Sequence, residues 1–177
     1  MPSRTSRPFA RPSLSNDGLL QRARTAHSLN RLSDAERLYR QYLAIRPSDA
    51  DALRNLGAIG LQMGLAEAAI GLIRQSLEID NTSADAQCNL GLALKQAGHL
   101  EEAEQAYRLA IALDPIIVDA HSNLGVLLIE LNRYEEARDA LRAAIALAPN
   151  NGGVLANFGL LELRSSRPEQ ALEILFA

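Results

Sequence analysis

Three stretches of this chain are copies of one another in register: Asp51-Ala-Leu-Arg-Asn-Leu-Gly57, Asp85-Ala-Gln-Cys-Asn-Leu-Gly91 and Asp119-Ala-His-Ser-Asn-Leu-Gly125, each starting 34 residues after the last. A period this long is one supersecondary unit repeated in tandem, so the chain is expected to form a solenoid rather than a globule around one centre. Pro47, Asn81, Pro115 and Pro149 extend the period outward, as do Ala35, Ala69, Ala103, Ala137 and Ala171. Five units follow, at 16–49, 50–83, 84–117, 118–151 and an incomplete 152–177, behind a basic tail at 1–15 that is expected to be disordered. The fifth unit reaches about two turns into its second helix.

Inside a unit the apolar spacing is helical. In the third, Ala86, Leu90 and Leu94 recur at i, i+4 and i+8 before Gly98, then Ala103, Tyr107, Ala110 and Ile111 recur before Pro115. The predicted unit is helix, tight turn, helix. The turns fall on Asn30, Gly64, Gly98, Asn132 and Ser166, mostly residue types that tolerate the left-handed conformation. Ser33 and Glu36 have the spacing of a capping box at the start of the first unit's second helix. Gly57, Gly91, Gly125 and Gly159 lie in mid-helix, where each costs ~1 kcal/mol relative to Ala. Their recurrence implies two helices passing too closely for a side chain. Hydrophobic residues make up 47% of the chain but aromatics only 4%, which leaves Ala and Leu to supply the apolar surface and favours an all-α fold.

Charge narrows the partners. The net −3 combines three arginines in an acid-free tail, Arg4, Arg7 and Arg11, with repeats that are correspondingly more acidic. Such an array is a poor surface for nucleic acid. Arg outnumbers Lys so strongly, with Lys95 the one lysine, that the bias reads as that of a GC-rich, bacterial genome. No run approaches the ~20 apolar residues a bilayer-spanning helix needs, so no membrane role is expected. The tail lacks the apolar core of a secretory signal, and Pro2, Pro8 and Pro12 oppose the amphipathic helix of a transit segment, so a cytoplasmic location is expected. Cys88 is the sole cysteine and cannot form an internal disulfide.

The residues that normally carry chemistry are scattered. His27, His99 and His121 fall in different units at different register positions, which predicts no metal site. Cys88 has no neighbouring His or basic cluster to activate it, and Glu101-Glu102 and Glu135-Glu136 read as dipole-favoured first turns. We therefore expect no enzyme activity and no cofactor from these residues.

From residue 16 onward the chain resembles the tetratricopeptide repeat family. The third unit carries that family's pattern as Leu90, Gly91, Leu94, Ala103, Tyr107, Ala110 and Pro115, and the fourth as Leu124, Gly125, Leu128, Ala137, Ala144 and Pro149. The first unit departs from it, with Arg22-Ala23 in place of Leu-Gly and Tyr42 where a small residue is usual, as an end unit would. The resemblance implies antiparallel helix pairs in a right-handed superhelix, with first helices lining a concave groove that binds peptide segments of other proteins.

By that layout Asn55, Asn89, Asn123 and Asn157 form a row along the groove, with Gln21 in the first unit's place. A side-chain amide both donates and accepts, as a peptide group does, so one Asn per helix layer suits every third residue or so of an extended segment. The alternative is that the amides bond within the helix stack. Asp51, Asp85 and Asp119 stand one turn earlier on the same face, either to meet a bound segment or to satisfy the helix dipole. Arg54 and Lys95 are the cations expected beside them. The Asp row opposes a clamp for a C-terminal carboxylate, which needs a cationic rim that Arg54 alone does not restore.

The phrase Asp-Ala-x-x-Asn-Leu-Gly is similar to the repeat arm of O-linked N-acetylglucosamine transferases, which implies a substrate-holding arm as an alternative to a free adaptor. No strand-helix alternation or Gly-rich phosphate loop of a transferase domain is present in the sequence. A third alternative is a scaffold that self-associates through its apolar C-terminal end, Leu172, Ile174, Leu175 and Phe176.

Overall fold

A computed structural model describes residues 16–165, and among them finds nine α-helices and no strand. In chain order these are α1 Asn16–Ser28, α2 Leu32–Leu43, α3 Ala50–Gln62, α4 Ala66–Ile79, α5 Ala84–Ala97, α6 Leu100–Leu113, α7 Val118–Glu130, α8 Tyr134–Leu147 and α9 Gly152–Arg164. The tail at 1–15, the turn at Ser166, Ala171 and the apolar end at Leu172 to Phe176 lie outside the described residues. Odd-numbered helices are the first of each pair, and α9 opens the fifth.

The turn inside each pair is a backbone device. Asn30, Gly64, Gly98 and Asn132 all have positive φ, between 55° and 86°. The next N–H in each case reaches back to a carbonyl of the helix just ended, as in Arg31 to Ala26 at 2.9 Å and His99 to Leu94 at 2.9 Å. This closure satisfies the orphan carbonyls and reverses the chain in two residues. It also overturns the capping box expected at Ser33 and Glu36. Because the closure brings the chain round by Arg31, α2 starts at Leu32 with no side-chain cap, and Ser33 is already inside it. Glu36 instead pairs with Arg40 at 3.0 Å.

Caps belong to the first helices, where the sequence had not suggested them. Asp49, Ser83 and Asn151 accept N–H bonds at the heads of α3, α5 and α9, while Ile117 at the same register leaves α7 uncapped. α4 and α6 end in the extended residues Asp80 and Asp114, α2 ends at Ala44 still in the right-handed helical region, and Asp114 and Ala148 stand directly before Pro115 and Pro149, which cannot continue a helix.

The mid-helix glycines mark the contact within each pair. A Cβ built on Gly57 would fall 2.5 Å from Ile73, one on Gly91 2.6 Å from the Tyr107 ring, and one on Gly125 2.5 Å from Leu141. Each missing side chain is thus replaced by a large residue of the second helix. Tyr107 and Leu141 are fully buried there.

Packing then fixes the curvature. Every helix packs on the next, and α3 touches α5, α5 touches α7, and α7 touches α9; no comparable contact joins α2 to α4, α4 to α6 or α6 to α8. First helices therefore crowd together on the inside of the bend. The apolar core runs along the stack in two clusters, one within α1 to α3 and one from Leu61 to Leu161. The departures in the first unit are built into its join with the second. Ala23 is fully buried, and Tyr42 is buried with its hydroxyl donating to Asp49 Oδ2 at 2.7 Å.

Candidate functional site

The face left to solvent on the inside of the bend is made by α1, α3, α5, α7 and α9. Each of these helices repeats the same register, so the face is a set of rows crossing the helices. The middle row is Asn55, Asn89, Asn123 and Asn157, all half-buried.

The stack holds three of these amides in place. Asn55 Nδ2 donates to the Asp51 carbonyl of its own helix at 2.7 Å, Asn157 Nδ2 to Ser122 Oγ at 3.0 Å, and Asn123 Nδ2 to Cys88 Sγ at 3.9 Å. The last two bonds cross to the preceding first helix and land on the residue just before that helix's Asn. So within-stack bonding is present, and it uses the nitrogen. Among the described residues no donor reaches the Oδ1 of any of the four, and Asn89 makes no side-chain hydrogen bond at all. Cys88 is buried beneath the row, and burial pushes its thiol up to about 11, partly offset by the Asn123 amide. It stays protonated and unreactive near neutral pH.

The outer row is Asp51, Asp85 and Asp119. Asp51 and Asp85 are 66% and 68% exposed, and Arg54 lies between them, 3.1 Å from the first and 3.8 Å from the second. Asp119 is exposed and has no ion-pair partner among the described residues. These acids are not the helix caps, since Asp49 and Ser83 hold that role two residues earlier. Asp17 on α1 continues the row at the same period and is exposed as well. The 34-residue spacing contains Asp17, but the divergence of the first unit around Arg22-Ala23 hides it.

On the other side of the amides the sequence reading missed an apolar row. Leu92, Val126 and Leu160 stand three residues after their Asn, hence on the same face, and Leu160 is 39% exposed. Ala58 is the small member in the second unit. Lys95 lies beyond this row and is paired with Glu130 across α5 and α7 at 2.8 Å. It is a strut between helices rather than a free cation.

The histidines remain apart: His27 meets Gln62, His99 lies 3.5 Å from Glu67, and His121 meets the Pro115 carbonyl. No group of three metal-ligating side chains occurs among the described residues, and no described helix is long and apolar enough to cross a membrane. On the outside of the bend, the acid pairs at second-helix starts engage arginines. Glu102 accepts from Arg74 at 2.7 Å, Glu136 from Arg133 and Arg108, and Glu135 from Arg138. Arg40, Arg74, Arg108 and Arg142 recur every 34 residues, a signal in the arginine-rich composition that periodicity would have shown.

The fold has many solved counterparts. A crystal structure of MamA aligns at 24% identity with a TM-score of 0.74, over 86% of this chain and 90% of that one. TTC0263, a thermophilic TPR protein of Thermus thermophilus, aligns at 21% and 0.78 over 90% and 88% of the two chains. PilF of Pseudomonas aeruginosa aligns at 22% and 0.78 over 90% and 74%. At these identities the likeness is one of fold. A comparison with curated proteins finds no match. The family model for the tetratricopeptide repeat matches residues 20–84 and 88–152, most of the array. With the helix pairs, the glycine contacts and the 34-residue register all in agreement, the chain belongs to the tetratricopeptide repeat family.

Proposed function

We propose that this protein is an interaction module whose inner face holds an extended segment of a partner protein, acting as an adaptor or scaffold. The observation that carries the reading is the row of four half-buried Asn amides whose carbonyl oxygens accept no hydrogen bond among the described residues. None of these oxygens is buried without a partner, so each is open to solvent, and a peptide N–H, the donor an extended chain presents at regular intervals, exchanges for water there. The apolar row beside it offers burial to alternate side chains. The nitrogen-side bonds give the amides fixed positions before a ligand arrives, which lowers the cost of ordering them on binding. Arg54, shared between two aspartates, and Lys95, held by Glu130, shape the rim.

A substrate-holding arm of a glycosyltransferase is a narrower form of the same reading, carried by the Asp-Ala-x-x-Asn-Leu-Gly phrase alone. Self-assembly through Leu172 to Phe176 rests on residues outside those described. Neither has a geometric observation beyond what the groove already supplies.

The test is to select binders from a random peptide library on the full chain and compare wild type with the N89A/N123A double variant. At about 1 kcal/mol per lost hydrogen bond, affinity for the selected peptides falls roughly tenfold or more while helicity stays unchanged. Unchanged affinity would remove the amide row from the account.

A further inference from the structure

Ile45, Ile79, Leu113 and Leu147 stand 34 residues apart and are all exposed, between 37% and 54%. Ile79, Leu113 and Leu147 are the last residues of α4, α6 and α8, and Ile45 holds the same register in the turn after α2. The core does not need them. Two residues earlier in each unit, Leu43, Leu77, Ile111 and Ile145 already pack against the apolar clusters. A single exposed Leu or Ile is ordinary, but the same exposure at four successive junctions makes a stripe along the edge where second helices end and first helices begin. Ile116, 70% exposed at the third junction, widens it.

Acids run beside the stripe. Asp80 and Asp114 directly follow Ile79 and Leu113, and Asp51, Asp85 and Asp119 lie in the first turns of the next helices. At the first junction the two features share one hollow of about 480 Å³, lined by Ile45, Arg46, Asp49, Asp51 and Asp80 among others. The N–H and hydroxyl of Thr82 donate to Asp80 and hold its carboxyl below the usual carboxylate range, so it is charged at neutral pH. Arg46 and Arg54 are the arginines at these junctions, and Arg54 is already held by Asp51 and Asp85. The edge stays acidic.

We propose that this edge is a second docking surface, separate from the inner groove, and that it takes an amphipathic helix of a partner protein whose apolar stripe is flanked by lysine or arginine. Spacing selects the helix. First helices touch at ~8–10 Å and second helices stand farther apart, so the stripe advances by roughly 10 Å per unit. Seven residues of an α-helix advance about 10.5 Å and return to nearly the same face, so apolar residues one heptad apart meet successive rungs. An extended strand covers that distance in about three residues, which turns every other side chain away. A polyproline helix keeps its face but docks in aromatic-lined grooves, and no aromatic residue stands in the stripe. Charge selects the flanks. The acidic edge repels both its own copy and an anionic lipid surface, and attracts a basic helix.

The experiment titrates the full chain into a fluorescent synthetic helix of about 24 residues, with Leu at heptad spacing and Lys on both sides of that stripe. The expected result is binding that weakens with salt and falls roughly tenfold or more for the I79Q/L113Q variant, because two apolar contacts are lost. Helicity of the variant and its affinity for library-selected peptides of the inner groove stay unchanged, which separates this surface from that one. A second probe with Glu in place of each Lys needs no variant, and is expected not to bind. Equal binding of the two probes would overturn the proposal, as would equal affinity of the Lys probe for wild type and I79Q/L113Q. So would a wild-type particle mass twice that of I79Q/L113Q, because the stripe would then be covered by a second copy.

Discussion

At the scale of single residues, small side chains do the positioning here. Gly57, Gly91 and Gly125 were recognisable in the sequence as places where helices approach, because a mid-helix glycine repeated at one period needs a steric reason. What occupies each gap was not legible, since Ile73, Tyr107 and Leu141 have different sizes and only the packed structure pairs them. Tyr107 makes the sharpest case, being a rigid and fully buried ring. Gly91→Ala gains ~1 kcal/mol of helix propensity but overpacks against that ring at a cost of ~1–3 kcal/mol, so the net effect is destabilising. Gly71, on the exposed side of α4, has nothing within 4 Å of its added Cβ. Gly71→Ala therefore stabilises by ~0.5–1 kcal/mol. Thermal unfolding of the two variants side by side should give shifts of opposite sign, and shifts of the same sign would refute the close-approach explanation. The Asn row was legible as a row, but not the division of labour within each amide. That division depends on Cys88 and Ser122, which sit one residue before Asn89 and Asn123 and receive bonds from the next unit.

At the scale of helices, what joins one element to the next was least visible in the sequence. The turns were readable from Asn30, Gly64, Gly98 and Asn132 because their backbone need is local. The failed capping box shows the limit of local reading, since Ser33 and Glu36 have suitable spacing but the turn closes two residues too early. The junction of α8 and α9 shows the same limit at longer range. Glu162 occupies the register of Leu94 and Leu128 and is fully buried, and Arg138 of α8 reaches it at 3.1 Å. Burial works against the Arg138 charge, and the Glu162 and Glu135 carboxylates outweigh it, so its pKa rises further above the usual range. Removing Glu162 leaves the buried Arg138 with the exposed Glu135 as its remaining carboxylate, which costs up to ~3–5 kcal/mol, whereas replacing both partners of a buried pair with apolar residues is often neutral or stabilising. Glu162→Ala should accordingly lower the midpoint of urea unfolding, and the R138M/E162L double variant should restore or exceed it. A double variant as unstable as the single one would mean that the pair contributes something other than neutralising its own burial. The exposed pairs outside the bend, such as Arg74 with Glu102, are worth ~1 kcal/mol or less each.

At the scale of the whole molecule, the sequence sufficed for the architecture because each unit obeys the same local rules and meets only its neighbours. Contacts among first helices turn that repetition into curvature, and curvature makes the inner face a groove with acidic, amide and apolar rows. The acidic and amide rows could be read from identical residues at one spacing. The apolar row could not, because Leu92, Val126 and Leu160 differ from one another and look like ordinary core residues until exposure separates them. The central claim is that binding happens on this inner face through the amides. Its most direct test is a titration of the labelled full chain with a library-selected peptide, following every backbone and Asn side-chain amide. The largest shifts are expected at the side-chain amides of Asn55, Asn89, Asn123 and Asn157 and along α3, α5, α7 and α9. Shifts concentrated on α4, α6 and α8, with those four amides unmoved, would contradict it.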